Sequence, residues 1–299
     1  MRYRYQAAAL GLRLFSANDI ARRCYRAIGN TVVARRRAAG GLPETYRWRA
    51  RNVIRALRTQ GCLQPGMRVL EIGTGWAHWD ALVIRLAAGE TRSVLYDVWD
   101  NRSKEQFRSF ARGLLEPSFS ELFDPSAREC LERALRSSEW GDIYKQLGFE
   151  YVVDPDGELA GIDGKFDVVV SSDVLEHVPK AKIPALLRAQ SGLLKPGGVA
   201  CHQIVLFDHL RIYARDAHPK QYLAYPEEVW HRRFENGVQH QNRVQMPAWR
   251  EHFREAGLRI LDERAVQTCD LDGFPLAPQF AGVSQPDLEV GVVQMVCTV

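Results

Sequence analysis

The residues best suited to chemistry lie in one run, Val69-Leu-Glu-Ile-Gly-Thr-Gly-Trp-Ala-His78. An apolar, strand-forming segment ends at Glu71, the turn Gly73-Thr74-Gly75 follows, and residues 77–88 predict a helix. Glycines let the backbone approach a ligand, and the first N–H groups of a helix can then point at it. This order of strand, turn and helix indicates a nucleotide-binding site, in which the Glu71 carboxylate can accept a cationic amine.

The spacing of the small residues separates two classes of nucleotide-binding protein. In a dinucleotide-binding dehydrogenase, a third small residue stands five positions after the first glycine and permits close packing of helix and strand. That position holds His78, whose ring is large, so NAD and an oxidoreductase are the less favoured interpretation. An ordinary strand–turn–helix without a ligand is a further alternative for this segment taken alone.

Two later segments carry similar signals where predicted strands begin or end. The apolar strand 166–170 leads into Ser171-Ser-Asp-Val-Leu-Glu-His-Val178, and Leu193-Leu-Lys-Pro-Gly-Gly198 precedes a predicted fifth strand over 199–207. A nearly continuous apolar run is typical of a buried parallel strand. Together with the Glu-x-Gly-x-Gly run, these segments resemble, in order and spacing, the class I S-adenosylmethionine (SAM) methyltransferases of small molecules. The resemblance covers most of residues 67–299.

The resemblance implies an α/β fold, with a Rossmann-like sheet of seven strands whose last strand is antiparallel and inserted beside the sixth. It also implies SAM as the cofactor and S-adenosylhomocysteine as the product. One position departs from the family pattern, because Ala77 stands where a third glycine is usual. We divide the chain into a basic helical cap, 1–60, and a methyltransferase domain, 61–299, with helical insertions at about 101–147 and 208–246.

The resemblance also assigns cofactor contacts to residues near the carboxyl ends of the strands. Glu71 is expected to hold the methionine amine or nearby waters. Asp97, which lies 22 residues after Gly75, is expected to bind the ribose hydroxyls, with Asp100 as its competitor. Asp154 or Asp156 could take the adenine amine, although ordinary turn chemistry explains both equally well. The expected cofactor-binding residues are Glu71, Gly73, Thr74, Gly75, Asp97, Val98 against the adenine, Asp154, and Ser171 and Ser172 beside the methyl group.

The sequence after the fourth strand narrows the choice of acceptor. Enzymes that methylate adenine N6 or glutamine amides usually carry Asn/Asp-Pro-Pro-aromatic here, but this chain has Ser171-Ser-Asp-Val and no cysteine nucleophile. We expect an oxygen, nitrogen or carbon atom of a small molecule, a lipid-linked sugar or a natural-product scaffold. The alternative is a protein of this fold that binds SAM or a partner without catalysis. Such a protein would be expected to have lost Glu71, Gly75 or Asp97.

Asp173, Glu176 and His177 resemble the Glu-x-x-Glu-His of ubiquinone-type O-methyltransferases, with Asp173 in place of the first Glu. This set could hold Mg²⁺, or His177 could act as a general base. Helix capping and internal hydrogen bonds are the favoured interpretation, so we predict no metal site. His209, just after the fifth strand, is the preferred catalytic base. Because neighbouring strand ends meet, Ser172, His177 and His209 are expected to converge on the acceptor.

The first 60 residues are unusually basic. They contain fourteen arginines, no lysine and two acids, which gives +12; because the whole chain carries +4, residues 61–299 carry −8. Apolar residues at helical spacing predict helices over 4–38, with a break near Gly29-Asn30, and over 44–59, packed above the cofactor pocket. A solvated arginine-rich face is the favoured interpretation. Peripheral contact with an anionic membrane is the alternative, and nucleic acid is not favoured.

The composition is that of an ordinary globular protein, with 46% hydrophobic and 25% charged residues. No apolar run reaches the roughly 20 residues that cross a bilayer. The six cysteines are scattered without the spacing of metal ligands, as in a reduced protein, and we therefore expect a cytoplasmic location. The sequence does not indicate an oligomeric state.

Overall fold

A mixed seven-stranded sheet forms the centre of the structure, a computed structural model that describes residues 2–28 and 40–299. Its strands are β1 (Met67–Ile72), β2 (Thr91–Asp97), β3 (Phe149–Val153), β4 (Phe166–Ser172), β5 (Leu194–Val205), β6 (Arg259–Thr268) and β7 (Val290–Thr298). The order across the sheet is β3-β2-β1-β4-β5-β7-β6, and only the pairs that involve β7 are antiparallel. The predicted α/β fold, with an antiparallel last strand inserted beside the sixth, is confirmed.

Helices cover both faces of this sheet. The helices in the described residues are α1 (Arg2–Ser16), α2 (Asp19–Ile28), α3 (Glu44–Thr59), α4 (Trp79–Ala88), α5 (Lys104–Leu114), α6 (Pro125–Ala134), α7 (Trp140–Leu147), α8 (Ile183–Leu193), α9 (Glu227–Arg233), α10 (Met246–Glu255) and α11 (Gln285–Glu289). Val168 and Val170 of β4 face the core beneath α3 and α4, and Val169 faces the core beneath α8 and α10. Two buried faces explain why β4 is apolar throughout.

The strand order reverses between β1 and β4, which pair in parallel with Leu70 opposite Val169. In open α/β sheets, ligands bind outside the carboxyl ends of the strands at such a reversal. The glycine turn leaves β1 at this point, and the Ser171–Val178 segment leaves β4 beside it. The fold therefore brings the two motifs of the sequence to one edge of the sheet.

Several predicted elements have the observed bounds, and others differ for identifiable reasons. The helix over 44–59 and the strand over 149–153 are as predicted. In the described residues, the break in the N-terminal helices lies at Ala17-Asn18, where the Asn18 side chain accepts a hydrogen bond from the Ala21 N–H. The predicted break at Gly29-Asn30 lies outside the described residues. β4 continues through Ser172 because β5 pairs with it that far.

The insertion after β2 is helical, as predicted, and packs against α4 and β3. Pro117 begins a short 3₁₀ turn, and Pro125 begins α6. The Asp124 side chain caps α6 by accepting a hydrogen bond from the Ala127 N–H at 3.0 Å. Proline suits the first position of a helix because its missing N–H would have no partner there. Pro125 therefore starts a helix instead of only interrupting one.

The basic N-terminal region packs in two different places. α3 joins the main core through Val53, Ile54 and Leu57 and lies against α4. α1 packs instead against the chain after β5, through Tyr5 and Leu12. Among the described helices of 1–60, α3 is the one beside the glycine turn, where the Tyr46 ring packs against that of Trp76. Among residues 2–28 and 40–299, no helix is long and apolar enough to cross a membrane.

Candidate active site

The glycine turn is tied to the neighbouring strand β2. The N–H groups of Gly73 and Thr74 both donate to the Tyr96 carbonyl, at 2.8 and 3.0 Å. The Gly75 N–H donates to Oδ2 of Asp97 at 2.8 Å. The sequence led us to expect that such donors would be free to point at a ligand, and the structure shows that β2 accepts them. The turn is therefore held in shape by protein contacts alone.

Glu71 is buried and bridges the turn to the following helix. Its Oε2 accepts from the Thr74 hydroxyl at 2.8 Å, and its Oε1 accepts from the Asp80 N–H, in the first turn of α4, at 2.9 Å. Burial, with the nearby Asp80 carboxyl, raises the pKa of Glu71. Satisfying a helix-terminal N–H with a carboxylate stabilises the helix start. Glu71 thus shapes the turn, and contact with a cofactor amine stays a prediction.

His78 immediately precedes α4 and has a left-handed backbone conformation, with φ of 49°. Its Nδ1 lies 3.1 Å from the Thr74 hydroxyl and its Nε2 lies 3.0 Å from the Tyr144 hydroxyl of α7. Burial lowers the pKa of His78 to about 3, so the ring is neutral. A consistent assignment has Tyr144 donating to Nε2, Nδ1–H donating to Thr74, and Thr74 donating to Glu71. These hydrogen bonds connect α7, in the insertion after β2, to the glycine turn.

Asp97, and not Asp100, is the carboxylate at the glycine turn. Besides Gly75, it accepts from the Trp99 N–H at 3.2 Å, and its burial raises its pKa. Asp100 forms an ion pair with Arg102 at 2.6 Å and is exposed. Val98, beside Asp97, is partly exposed at the same edge of the sheet. This placement favours Asp97 for the expected ribose contact.

The Asp154 carboxylate is occupied by its own turn. It accepts from the Tyr96 hydroxyl at 2.7 Å and from the N–H groups of Asp156, Glu158 and Ala160 at 3.0–3.2 Å. Asp156 is exposed. The turn chemistry considered for the sequence therefore accounts for the Asp154 contacts, and a role at an adenine amine stays untested.

The two serines at the end of β4 face opposite sides of the sheet. Ser171 is fully buried, and its hydroxyl lies 2.8 Å from Nδ1 of His202, whose Nε2 lies 2.7 Å from the Gln190 amide nitrogen. The Ser172 side chain contacts Asp80 instead, on the side of the glycine turn. Because side chains alternate along a strand, only one of two adjacent serines can face the site. Only backbone atoms of Ser171 can border a cofactor there.

The turn and the segment after β4 are in direct contact at Gly73. A Cβ atom added to Gly73 would lie only 2.4 Å from Cγ2 of Val174, and Gly73 has a φ of 71°. Glycine is required there on both counts, because L side chains avoid this conformation and no room exists for one. Val174 thus connects the expected cofactor side with the expected acceptor side.

Three side chains converge on the acceptor side. Glu176 and His177 lie on a 3₁₀ turn, Leu175–His177, and His209 begins a second one after β5, His209–Ile212. The rings of His177 and His209 are 4.7 Å apart, and ligand atoms of all three residues lie within 4.8 Å of one another. Burial lowers the pKa of both histidines, that of His209 to about 3. The two histidines lie together as predicted, but the side chain of Ser172, the third predicted member, contacts Asp80. Their convergence on an acceptor stays a prediction.

Asp173 points to a different partner. It has a left-handed φ of 58°, accepts from the Gln203 amide at 2.7 Å and forms an ion pair with Arg49 of α3. The Arg49 guanidinium also lies 4.7 Å from the centre of the Tyr46 ring. Asp173 is therefore engaged by α3 and β5 and does not join the cluster of Glu176, His177 and His209.

The insertion after β5 holds the 3₁₀ turn that carries Glu176 and His177. The Asn242 N–H donates to the Glu176 carbonyl at 2.8 Å, and its side-chain amide donates to the carbonyls of Leu175 and Val178. His177 Nδ1 donates to the His240 carbonyl at 2.6 Å. Residues 240–242 therefore hold the 3₁₀ turn in place from a distant part of the sequence.

Comparison with known proteins decides the family. A family profile described as a methyltransferase domain matches residues 44–263, well over half of the chain. This chain belongs to the class I methyltransferases. No curated protein matches the methyltransferase significantly in sequence.

Solved structures of other methyltransferases are similar to this chain at low sequence identity. Magnesium protoporphyrin IX methyltransferase from Synechocystis PCC 6803, solved with bound S-adenosylhomocysteine, is 13% identical with a TM-score of 0.50; the match covers 92% of this chain and 97% of that one. An O-methyltransferase family protein from Burkholderia thailandensis is 12% identical (TM-score 0.44), over 96% and 63% of the two chains. An N-methyltransferase from Bradyrhizobium japonicum WM9 is 14% identical (TM-score 0.41), over 84% and 94%.

Two residues of the methyltransferase site were missed in the sequence. Arg49 was assigned to a solvated arginine-rich face, but its side chain is only 12% exposed because it pairs with Asp173. His78 was used only to argue against NAD, although its ring holds the glycine turn. The signal for His78 was its position directly before a helix in a Gly-rich turn. No local signal distinguishes Arg49 from the other arginines of 1–60.

Proposed function

We propose that the protein transfers the methyl group of SAM to an oxygen, nitrogen or carbon atom of a small molecule. The observation that carries this proposal is the Asp97 carboxylate, which lies 2.8 Å from the Gly75 N–H in the family's cofactor turn. From there it can exchange that contact for ribose hydroxyls. Expected cofactor neighbours are Glu71, Gly73, Thr74, Gly75, Asp97, Val98, Asp154, Ser171 (through its backbone) and Ser172.

The chemistry requires little from the protein beyond alignment. The acceptor attacks the methyl carbon in line with the carbon–sulfur bond, the sulfonium takes the bonding electrons, and S-adenosylhomocysteine and a proton are released. The sulfonium already activates the leaving group, so positioning and removal of the proton are the remaining tasks. His177 and His209 are neutral at pH 7 because burial lowers their pKa values, and His209 is the expected proton acceptor.

Calorimetry with SAM, S-adenosylhomocysteine and NAD⁺ tests the cofactor assignment. We expect one site per chain for both sulfur ligands and no binding of NAD⁺. Binding of NAD⁺ alone would move the chain to the oxidoreductases. A screen of small-molecule acceptors by mass spectrometry then separates an enzyme from a protein that only binds SAM, because a non-catalytic protein would methylate none of them.

Turnover of the His209→Ala variant tests the acceptor side. We expect a loss of two to four orders of magnitude, typical of removing a general base, with SAM affinity unchanged. His231→Ala is the matched control, since His231 is exposed on α9 and pairs with Glu235. Equal turnover of His209→Ala and His231→Ala would reject a role for His209.

Peripheral attachment to an anionic membrane is our proposal for the N-terminal helices. Among the described residues, six of the ten exposed large apolar side chains lie on α1, at the start of α2 or on the turn after β5; they are Tyr3, Leu10, Leu14, Ile20, Ile212 and Tyr213. Arg4, Arg13, Arg22 and Arg23 are exposed on the same two helices. Exposed apolar side chains among arginines suit an anionic lipid surface.

The six scattered thiols are free, which supports a cytoplasmic location.

Co-sedimentation with phosphatidylglycerol vesicles at low and high salt tests this attachment. We expect salt-sensitive binding that falls at least tenfold in Leu10→Glu/Leu14→Glu. Leu276→Glu is the control, because Leu276 is exposed on another part of the surface. Equal binding of the two variants, or displacement by duplex DNA, would reject the assignment.

A further inference from the structure

Glu176 has a buried carboxylate whose oxygens are poorly satisfied by the protein. The residue is 1% exposed, and neither carboxylate oxygen makes a hydrogen bond of normal geometry. The N–H groups of Glu176 itself and of Val205 are nearby and favour the charged form. Burial and the charge of Asp173 outweigh them and raise the pKa of Glu176 well above its usual range. A buried carboxyl group that lacks hydrogen bonds is costly, so its retention calls for an explanation.

We infer that Glu176, His177 and His209 together bind one divalent transition-metal ion. Their ligand atoms lie within 4.8 Å of one another, and the partnerless carboxylate is one of them. Two imidazoles and one carboxylate are a ligand set that suits Zn²⁺, Fe²⁺ and related ions and leaves coordination positions open. Mg²⁺ prefers a site made of oxygen ligands and water.

Outer contacts already orient the ligands. His177 donates from Nδ1 to the His240 carbonyl, at 2.6 Å, which leaves Nε2 as the nitrogen with a free lone pair. Metal-binding histidines usually donate their other ring N–H to such a carbonyl, because this fixes the ring and its tautomer. Asn242 holds the Glu176 backbone in the same way. The backbone N–H of His209 donates to the Gln241 side-chain oxygen at 3.2 Å, although its ring makes no hydrogen bond among the described residues.

This ligand set differs from the one that the sequence suggested. The Asp173-x-x-Glu176-His177 pattern offered Asp173 as a ligand, but the structure commits Asp173 to Arg49 and Gln203. His209 takes its place because β5 pairs with β4 and delivers the chain beside the 3₁₀ turn. Where the sequence predicted no metal site, we thus propose one, and its His209 ligand follows a different strand from the other two.

The site deepens the proposed function and rests on it. A cation with open positions lowers the pKa of a bound hydroxyl group. An alcohol or phenol bound there would lose its proton to solvent, attack the methyl carbon of SAM, and leave as the methyl ether with S-adenosylhomocysteine as co-product. His177 and His209 then act as ligands, a role that replaces that of His209 as proton acceptor, and the acceptor atom is an oxygen.

Calorimetry of the chelator-treated full chain with Zn²⁺, Mn²⁺ and Mg²⁺ tests the site. We expect one Zn²⁺ or Mn²⁺ per chain, at least 100-fold tighter than Mg²⁺. Glu176→Gln and His209→Ala should each weaken this binding by at least 100-fold. Asp173→Asn and His231→Ala are the controls, the first for the alternative ligand set and the second for an exposed histidine. Thermal unfolding confirms that each variant is folded.

SAM is titrated into the same samples, so that the two proposals fail separately. Normal SAM binding without any metal binding would overturn the metal site and leave the methyltransferase proposal. Metal binding without SAM binding would overturn the cofactor assignment on which this acceptor chemistry rests. Equal metal affinity in Glu176→Gln, or loss of it in Asp173→Asn, would also overturn the proposed ligand set.

Discussion

The cofactor side and the acceptor side of the site differ in how well their buried carboxylates are hydrogen-bonded. On the cofactor side, Glu71 accepts from Thr74 and Asp80, and Asp97 accepts from Gly75 and Trp99. On the acceptor side, both oxygens of Glu176 lack a hydrogen bond of normal geometry. Glu71 and Asp97 therefore have hydrogen-bond partners within the protein, whereas Oδ1 of the neighbouring Asp80 carboxylate lacks one among the described residues. Glu176, on the acceptor side, thus keeps both carboxylate oxygens available to the metal ion that we propose.

This difference suggests that the cofactor side sets the shape of the glycine turn, whereas the acceptor side sets the affinity for what binds there. A glycine turn whose N–H groups are all bonded to β2 is preorganised, so a ligand does not have to order it. An unsatisfied buried carboxylate is unfavourable in free energy, and a cation bound between it and the two neutral imidazoles would remove that penalty. We therefore expect variants on the cofactor side to change the shape of the turn, and variants on the acceptor side to change what binds.

The largest effect is expected at Gly73. In Gly73→Ala, the new methyl group would meet Val174 at 2.4 Å in a left-handed conformation. We expect about 2–4 kcal/mol of lost stability, from overpacking and backbone strain, with SAM affinity also reduced. Denaturant unfolding and calorimetry measure the two quantities.

Gly75→Ala is the matched control for this variant. Gly75 also has a positive φ, of 58°, but a Cβ there would have its nearest neighbour 4.0 Å away. We expect Gly75→Ala to lose only about 1–2 kcal/mol of stability, because backbone strain is its only cost. Adding Val174→Ala to Gly73→Ala should restore part of the lost stability, because it removes the clash. Adding it to Gly75→Ala should restore none. Equal losses in the two glycine variants would refute the contact with Val174.

The next effect concerns Asp97. Asp97→Ala removes the acceptor of the Gly75 N–H and the expected acceptor of the ribose hydroxyls. A charge-assisted hydrogen bond contributes about 1.5–3 kcal/mol, so SAM affinity should fall roughly ten- to a hundredfold. Calorimetry measures this, with Asp100→Ala as the control on the same loop. A larger loss in Asp100→Ala would transfer the ribose contact to Asp100.

The smallest effect tests a buried polar network on the other face of the sheet. His202 lies between Ser171 and Gln190, and burial lowers its pKa to about 3. Because the unfolded histidine binds a proton below about pH 6.5, the stability from the neutral ring is complete above that pH and is lost as pH falls towards 3.

Between pH 7.5 and 5.5, His202 should therefore account for about 1.4 kcal/mol of lost stability. In His202→Asn, the stability lost over this interval should be smaller by that amount. Parallel stability curves for the two proteins, from denaturant unfolding, would show that folding leaves the pKa of His202 unshifted.

Elements with a strong local pattern could be predicted from the sequence. The helix Glu44–Thr59 and the strand Phe149–Val153 have the predicted bounds because hydrophobic periodicity determines both. The positions of the glycine turn after β1 and of Asp97 at the end of β2 could be predicted from the order of the elements along the chain. The hydrogen-bond partners of Glu71 and Asp154 within the protein could not, because a carboxylate in a turn can accept from several backbone and side-chain groups, and only the packed structure decides which.

The sequence by itself determined the order of strands and helices, the family, and the positions of Glu71, Asp97 and His177 at strand ends. The tertiary structure alone decided three further points: that Arg49 pairs with Asp173, that Ser171 faces the core, and that His209 joins Glu176. Each depends on pairing between β4 and β5 or on docking of α3, which join residues far apart in the chain. Local periodicity reports which face of an element is buried, but it carries no information about which distant side chain that face will meet.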